Sequence, residues 1–276
     1  MRSSRTVQAD PAATSGAAQA DLNEQLWAGE DLVEQYTGRA LRPPEVMMLV
    51  RYRDALSGRV IELGCGGGRL SGYLNAIARD FHGLDISPLM VAHCRRLYPG
   101  GSFELGDLRE LSRYESSSFD VVFPSFNVID VLDDAERRRV LAEIHRMLGP
   151  DGLLMMSSHN LAHAPSIPRP THIAGRNPVR IARQLTRMPR RERNRRRLQP
   201  LQRDHGDYAI LTDEAHEYGI LHYYIGRDAQ ARQLAEVGFE LLECLDLDAR
   251  PVQGGQTAAS QPELHYVARR VERPRS

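Results

Sequence analysis

The chain has 276 residues, with 36 basic and 36 acidic side chains and therefore no formal net charge. Its 41% hydrophobic and 26% charged residues are ordinary for a folded globular protein, which excludes a chain disordered throughout, and the length allows one large α/β domain or two smaller ones. No apolar run reaches the roughly 18 residues of a membrane-spanning helix, and residues 1–20 lack the apolar stretch of a secretory signal.

The three cysteines are odd in number and widely spaced, so they predict neither a disulfide framework nor a metal site. We expect a reducing compartment, the cytoplasm, and no membrane partner. We expect none of the candidate site residues to bind a metal ion. The oligomeric state is left open.

The chain divides into four predicted regions. Residues 1–22 are rich in Ser, Ala and Gln and predict a flexible tail. Residues 23–160 predict N-terminal helices followed by the core, with Trp27 holding the first helix. Residues 161–220 predict an insertion, and residues 221–276 predict the rest of the core sheet.

Strand and helix patterns alternate five times after residue 58, which predicts a doubly wound parallel sheet. The predicted strands are 59–63, 81–85, 103–107, 119–124 and 153–157. Predicted helices cover 69–78, 87–97 and 134–148, with a Gly-Pro-Asp-Gly stop before the fifth strand. A helix over 228–237 and strands over 238–244 and 264–269 complete the pattern.

The strongest motif is Glu62-Leu63-Gly64-Cys65-Gly66-Gly67-Gly68-Arg69, a glycine-rich turn that follows the first strand. Such a turn exposes backbone to a ligand at the carboxyl edge of the sheet, although nicotinamide and flavin sites use similar turns. Glu62 stands where a carboxylate favours a cationic ligand and not a pyrophosphate. Asp85 ends the second strand, where a carboxylate binds ribose hydroxyls. Together they predict a positively charged nucleoside ligand without phosphates, S-adenosylmethionine (SAM).

Residues 60–157 resemble the core of class I SAM-dependent methyltransferases of the small-molecule type. The glycine turn resembles the first motif of that family, and residues 83–87, 106–108 and 119–128 resemble the next three. The tail, with Tyr223-Tyr224-Ile225 and Gly238-Phe239, resembles small-molecule members. The resemblance implies a seven-stranded sheet of order 3-2-1-4-5-7-6 with strand 7 antiparallel, an N-terminal helical extension and a cap inserted after strand 5.

The resemblance also implies a set of cofactor contacts. Gly64, Gly66 and Gly68 would line the methionine part of SAM, with Cys65 as a small residue of the same turn. Asp85 would hold the ribose. The other implied contacts are Glu62, Ile86, Met90, Asp107 and Leu108, with Ser125 and Asn127 after strand 4 and Tyr36 closing from the N-terminal helix. The reaction product would be S-adenosylhomocysteine (SAH).

Motifs that are missing from the sequence argue against several classes of methyl acceptor. The segment Pro124-Ser125-Phe126-Asn127 lacks the Asn/Asp-Pro-Pro-Tyr/Phe pattern that holds exocyclic amines, which argues against DNA adenine and protein glutamine as acceptors. No Pro-Cys pair follows strand 4, which argues against cytosine C5. We therefore expect a methyltransferase acting on N or O of a small molecule, with natural-product or amine metabolism as the favoured setting.

His159 is the candidate base or acceptor-orienting residue, because catalytic groups of this fold lie at the carboxyl ends of strands. His163 is a weaker candidate. Further candidate acceptor contacts are Asn160, His222, Tyr223 and Tyr224. The two tyrosines alternate along a strand, so only one is expected to face the pocket, where it would hold an amine by cation–π contact or simply pack.

Residues 161–203 contain twelve arginines and a single acid, Glu192. A cap over the active site, a surface for an anionic partner and a disordered segment are all open interpretations. The run has no aromatic residue to stack single-stranded RNA. An RNA methyltransferase and a SAM-binding scaffold without transfer activity therefore remain alternatives to the small-molecule enzyme, with nucleic acid not favoured.

Overall fold

The computed structural model describes residues 40–166 and 178–272. The predicted tail, Trp27 and Tyr36 lie outside these residues. Ten strands are described: β1 Arg59–Leu63, β2 Asp80–Asp85, β3 Ser102–Leu105, β4 Phe119–Pro124, β5 Leu148–Asn160, β6 Arg203–Asp204, β7 Tyr208–Thr212, β8 Leu221–Ile225, β9 Phe239–Leu245 and β10 Glu263–Arg270.

The sheet is α/β in class and doubly wound, as expected. Strands β1 to β5 are parallel in the order β3-β2-β1-β4-β5, and β10 pairs antiparallel with both β5 and β9. Strands β10 and β9 thus correspond to strands 7 and 6 of the expected order 3-2-1-4-5-7-6. The carboxyl ends of β1, β2, β4 and β5 meet at one edge, where the fold places ligands.

The expected count of seven strands is too low for the described residues, because the insertion supplies β6 and β7 and the residues directly after it form β8. At its end, β5 pairs in parallel with β8 through His159 and Asn160, and β7 and β6 follow β8 in antiparallel order. Strand β6 has only two residues, which is too short to produce a period-2 signal. The insertion is therefore joined to the sheet at the site edge.

The seven described helices are α1 Pro43–Arg51, α2 Arg53–Leu56, α3 Ser71–Ile77, α4 Pro88–Leu97, α5 Asp134–Met147, α6 Pro178–Leu198 and α7 Arg227–Val237. Helix α5 begins with a capping box in which Asp133 accepts from the Glu136 backbone. It runs directly into β5, which begins five residues before the predicted start. Asp151 lies in the left-handed region (φ 56°) inside the segment expected to be a stop.

Alternate side chains of the central strands enter two separate cores, one on each face of the sheet. Ile61 and Val122 pack on one face with apolar residues of α5 and α7. Val60 and Val121 pack on the other face with residues of α1, α3 and α4. The strands are buried on both faces, which is why they read as short apolar runs. Among the residues described, none of the helices is both long and apolar enough to cross a bilayer.

Helix α6 carries most of the arginine run and packs against the Ala215–Tyr218 turn. Arg187 and Arg190 form ion pairs with the two carboxylate oxygens of Glu217, and Asn194 donates to the Glu217 carbonyl. The Arg191 guanidinium lies 5.2 Å from the Tyr218 ring centroid. Residues 178–198 are thus helical, against the disordered interpretation. Residues 167–177, which precede this helix, lie outside the described part of the chain.

Candidate active site

One pocket opens at the carboxyl edge of the sheet, and the glycine turn after β1 forms its floor. Gly64, Gly66 and Gly68 have φ angles of 69°, 51° and 81°, the left-handed region that glycine adopts without strain. A Cβ added at Gly66 would meet nothing within 4 Å, whereas one at Gly68 would lie 2.8 Å from the Tyr98 ring. Gly66 therefore presents bare backbone to the pocket, while Gly68 packs against Tyr98 behind it.

Asp85 connects the glycine turn to the end of β2. Its carboxylate accepts hydrogen bonds from the backbone N–H of Gly66 (2.7 Å) and of Ser87 (2.9 Å). Burial raises the pKa of Asp85 above its ordinary value, although these backbone donors oppose that shift. Asp85 lines the pocket, and the two backbone hydrogen bonds fix the orientation of its carboxylate.

Glu62 is a buried acid beside the same turn. Its Oε2 accepts from the Ser71 hydroxyl at 2.6 Å, and burial raises its pKa to about 8. When no cation is bound nearby, burial favours the protonated form of the Glu62 carboxyl. A cationic group bound in the pocket would favour the ionised form instead.

Most of the residues expected to contact a cofactor surround this pocket. Those that line it are Glu62, Gly64, Cys65, Gly66, Asp85, Ile86, Met90, Asp107, Leu108, Ser125 and Asn127. Gly68 supports the turn from outside the lining, and Tyr36 is not described. Asp107 is engaged by Arg109, whose backbone N–H and Nε donate to its carboxylate at 2.8 and 2.9 Å.

The segment after β4 has an unusual backbone. Phe126 and Asn127 follow each other with φ angles of 55° and 59°, a conformation that non-glycine residues seldom adopt outside special sites. Asn127 donates from its amide nitrogen to Glu263 (2.9 Å), and its backbone N–H donates to the Ser157 hydroxyl (3.0 Å). The Asn127 Oδ1 atom is buried and has no hydrogen-bond partner among the described residues.

His159 marks the polar end of the pocket. Its Nδ1 lies 2.7 Å from Asp130 Oδ2, and its backbone N–H donates to the same oxygen at 2.7 Å. Because Nδ1 is hydrogen-bonded to Asp130, Nε2 is the ring nitrogen that can contact a ligand in the pocket. Asp130 is itself fully buried and bonded to Arg137 and to the Ser158 hydroxyl. The imidazole is therefore oriented by a network with no access to solvent.

A second histidine faces the first. The rings of His159 and His222 lie 4.9 Å apart, and His222 Nδ1 is 2.9 Å from Asp213 Oδ2. The Tyr224 hydroxyl donates to the same Asp213 oxygen at 2.7 Å. Burial alone would raise the pKa of Asp213, but the neighbouring His222, His159 and Tyr224 outweigh burial and hold that pKa well below its usual range.

The structure separates the predicted acceptor contacts. His222 lines the pocket and the Tyr224 ring lies against His159, whereas Tyr223 points to the other face of the strand and donates to Asp134 at 2.6 Å. The Asn160 amide donates to the carbonyls of residues 257, 258 and 261. The predicted acceptor contacts at Asn160 and Tyr223 are therefore wrong: both side chains bond to other parts of the fold and neither lines the pocket.

Sequence reasoning missed Asp130 and Asp213. Asp130 lies in the segment after β4, and Asp213 directly follows β7. Both are far from His159 along the chain, and neither belongs to a recognisable local sequence pattern. Ala215 and His216 also line the pocket, and His216, Glu217 and Tyr218 all have positive φ angles. This strained turn forms the wall that α6 covers.

Comparison with known proteins places this site in context. Residues 60–152 match the family model described as a methyltransferase domain. The trans-aconitate 2-methyltransferase of Methylobacterium nodulans is 31% identical over 137 residues, which cover 49% of this chain and 51% of that protein. The malonyl-[acyl-carrier protein] O-methyltransferase of Enterobacter lignolyticus is 31% identical over 102 residues, covering 36% and 38%. The chain thus spans about half or less of these relatives' length.

The fold also matches solved structures. The 1,6-didemethyltoxoflavin-N1-methyltransferase of Burkholderia thailandensis, with bound 1,6-didemethyltoxoflavin and S-adenosylhomocysteine, superposes with a TM-score of 0.58 at 15% identity. The match covers 98% of this chain and 94% of that one. At this identity the likeness concerns the fold.

Proposed function

We propose that this chain, whose residues 60–152 match a methyltransferase-domain model, is an enzyme that transfers a methyl group from SAM to N or O of a small molecule. The observation that carries the proposal is the pocket at the carboxyl edge of the sheet. The glycine turn, Glu62 and Asp85 stand at one end of it, and His159 stands at the other. The named acceptors of two similar proteins, trans-aconitate and didemethyltoxoflavin, support a small-molecule acceptor.

The pocket residues have different roles in such a reaction. Asp85 accepts hydrogen bonds from the ribose hydroxyls, Ile86 and Met90 pack on the adenine, and Glu62 compensates the positive charge of the methionine part. SAM supplies an already activated methyl group, so the protein contributes mainly proximity and in-line orientation. His159 orients the acceptor atom and promotes loss of its proton.

Isothermal titration of the purified protein with SAH and SAM tests the proposal first. We expect both to bind at one site with micromolar dissociation constants. If a folded sample bound neither compound, the proposed cofactor and activity would be overturned and only the α/β fold would stand. Once an acceptor is found by screening for methyl transfer, His159→Asn should lower turnover by about 10²-fold or more with SAH affinity unchanged. Turnover in the scaffold alternative would stay undetectable with every acceptor.

The RNA alternative makes a different prediction. Phosphate binding by the arginines of α6 would give retention on heparin that falls steeply with salt. In the structure, Arg187, Arg190 and Arg196 each form an ion pair with a glutamate of the insertion itself. This internal pairing favours the cap interpretation, for which SAH affinity is insensitive to salt.

A further inference from the structure

The cluster at the polar end of the pocket contains more donor groups than orientation of one imidazole requires. His159 already has Asp130 as its orienting carboxylate. His222, Asp213 and Tyr224 form a second hydrogen-bonded set directly beside it. We propose that His159, Asp213 and His222 bind a divalent transition-metal ion at the edge of the pocket.

The distances between donor atoms suit such an ion after small side-chain rotations. One ligand atom from each of the three residues lies within 4.8 Å of the others. His222 Nδ1 is 2.9 Å and His159 Nε2 is 4.0 Å from Asp213 Oδ2. Metal–nitrogen and metal–oxygen bonds of about 2.0–2.2 Å place neighbouring ligand atoms roughly 3–3.5 Å apart. The observed separations bracket that value.

The surroundings of the three residues are those of a supported metal site. Metal-bound histidines commonly donate their other N–H to a carboxylate, which fixes the ring and its tautomer. Asp130 stands in that position for His159, and the Tyr224 hydroxyl occupies the equivalent position for Asp213. Asp130 is in turn anchored by the fully buried Arg137. The Asp130 contact leaves His159 Nε2 available to the ion, whereas the Tyr224 hydroxyl bonds to Asp213 Oδ2, which has a further lone pair for the ion.

The donor set indicates which ion fits. Two imidazoles and one carboxylate suit zinc, iron, cobalt or manganese, whereas magnesium and calcium prefer oxygen ligands alone. Three protein ligands leave coordination positions open, as catalytic sites do. Because His159 and His222 line the pocket, those positions face the space where the acceptor would sit.

A consequence for the acceptor rests on the proposed methyl transfer. A cation at this position binds an acceptor through oxygen and lowers the pKa of a hydroxyl bound to it. The site therefore selects an oxygen acceptor, a hydroxyl with a neighbouring oxygen that also reaches the ion. With His159 Nε2 bound to the ion, the ion takes over from His159 in promoting loss of the acceptor proton, which goes to solvent. The acceptor oxygen then bonds to the methyl carbon as the S–CH3 bond of SAM breaks, and SAH leaves.

Metal binding is tested directly with Co²⁺ and Zn²⁺ and the full chain. After dialysis against a chelator, we expect one equivalent of Co²⁺ to bind and to give visible absorption bands, with Zn²⁺ displacing it. Asp213→Asn and His222→Gln should each weaken Co²⁺ binding at least tenfold. His93→Gln is the matched control, because His93 lies on α4, contacts Arg96 and is not among the residues that line the pocket. The control should bind as the parent does.

Two results would overturn the metal site: no stoichiometric Co²⁺ binding, or equal binding by the parent and both ligand variants. SAH titration of the same samples confirms folding and reports the proposed function separately, since Asp213 and His222 lie at the opposite end of the pocket from the glycine turn. For the acceptor class, the Co²⁺ form should shift the absorption of 4-nitrocatechol, and His222→Gln should abolish the shift. Unchanged absorption with Co²⁺ bound would overturn the oxygen-chelating acceptor.

Discussion

Asp85 illustrates how one side chain serves both the fold and the proposed cofactor. Its two oxygens each accept a backbone N–H, from the glycine turn and from the start of the segment that leads into α4. A carboxylate has further lone pairs, so the same group can accept from a ribose hydroxyl without giving up these bonds. The turn and the ligand site are therefore one structure, which the sequence already shows as a glycine-rich turn followed by an acid at the end of the next strand.

Replacing Asp85 by Ala is expected to weaken SAH binding by about 1–3 kcal/mol, because hydrogen bonds to a charged group are lost. Isothermal titration measures the effect, and circular dichroism confirms that the variant is folded. Asp85→Asn keeps one carbonyl oxygen and should lose less. An Ala variant with parental SAH affinity would mean that the nucleoside lies elsewhere.

Glu62 predicts a pH dependence of binding. Its pKa of about 8 in the free protein means that it is mainly protonated at pH 6–7. The ammonium group of SAH favours the ionised carboxylate, so binding below pH 8 should release a proton. Affinity should accordingly rise from pH 6 to pH 8 and then level off.

Titration of SAH in two buffers of different ionisation enthalpy counts the released proton. Glu62→Gln should abolish the release and flatten the pH profile while keeping the hydrogen bond to Ser71. An equal proton release by Glu62→Gln and the parent would contradict the placement of the cationic group beside Glu62.

The residues that the sequence did not reveal share a physical cause. Gly64, Gly66 and Asp85 stand in a local pattern whose spacing is fixed by one strand and one turn. Asp130 and Asp213 reach His159 only through the tertiary fold, across 29 and 54 residues of chain. Sequence alone offers no spacing rule for such contacts, so the two carboxylates at the polar end of the pocket appear only in the structure.

At the scale of elements, apolar runs predict structure well and polar segments do not. Strands β1 and β4 lie where predicted, because both faces are covered and every residue after Asp120 in β4 is buried. Strands β6 and β7 belong to a polar insertion, and their pairing depends on β8 reaching the end of β5. Helix α6 is likewise stabilised by contacts with the Ala215–Tyr218 turn, which local sequence does not encode.

The turn after β9 allows a test of backbone strain. Ala249 has a φ of 60°, and the turn is held by Asp246, which accepts from the backbone N–H of Asp248 and of Arg250. A left-handed alanine costs about 1–2 kcal/mol relative to the right-handed region, and glycine avoids that cost at some expense of entropy. Ala249→Gly should therefore raise the free energy of unfolding by about 0.5–1 kcal/mol.

Ala235→Gly is the control for this substitution. Ala235 is exposed in α7, so the same change there should lower stability by about 1 kcal/mol. Chemical denaturation of both variants measures the two effects. Destabilisation by Ala249→Gly comparable to that of Ala235→Gly would show that the turn does not hold residue 249 in the left-handed region.

At the scale of the whole molecule, one buried polar network joins elements that are distant in the chain. Arg137 of α5 is fully buried and bonds to Asp130, to Ser158 of β5, and to Gln230 and Gln233 of α7. Its guanidinium also lies 4.6 Å from the Tyr223 ring centroid. The network therefore connects the α5–α7 face of the sheet with the carboxylate that orients His159, and it couples folding stability to the site.

Arg137→Met is expected to lower the free energy of unfolding by about 3–5 kcal/mol, because it leaves the Asp130 carboxylate buried without its partner. The adjacent Arg138 is the matched control: it pairs with Asp134 and Glu236 at the surface with 42% of its side chain exposed. Arg138→Met should cost less than about 1 kcal/mol. Adding Asp130→Asn to Arg137→Met should recover part of the loss, since the buried negative charge that Arg137 neutralised is removed. Equal destabilisation by Arg137→Met and Arg138→Met in denaturant titrations would contradict the central role of the buried network.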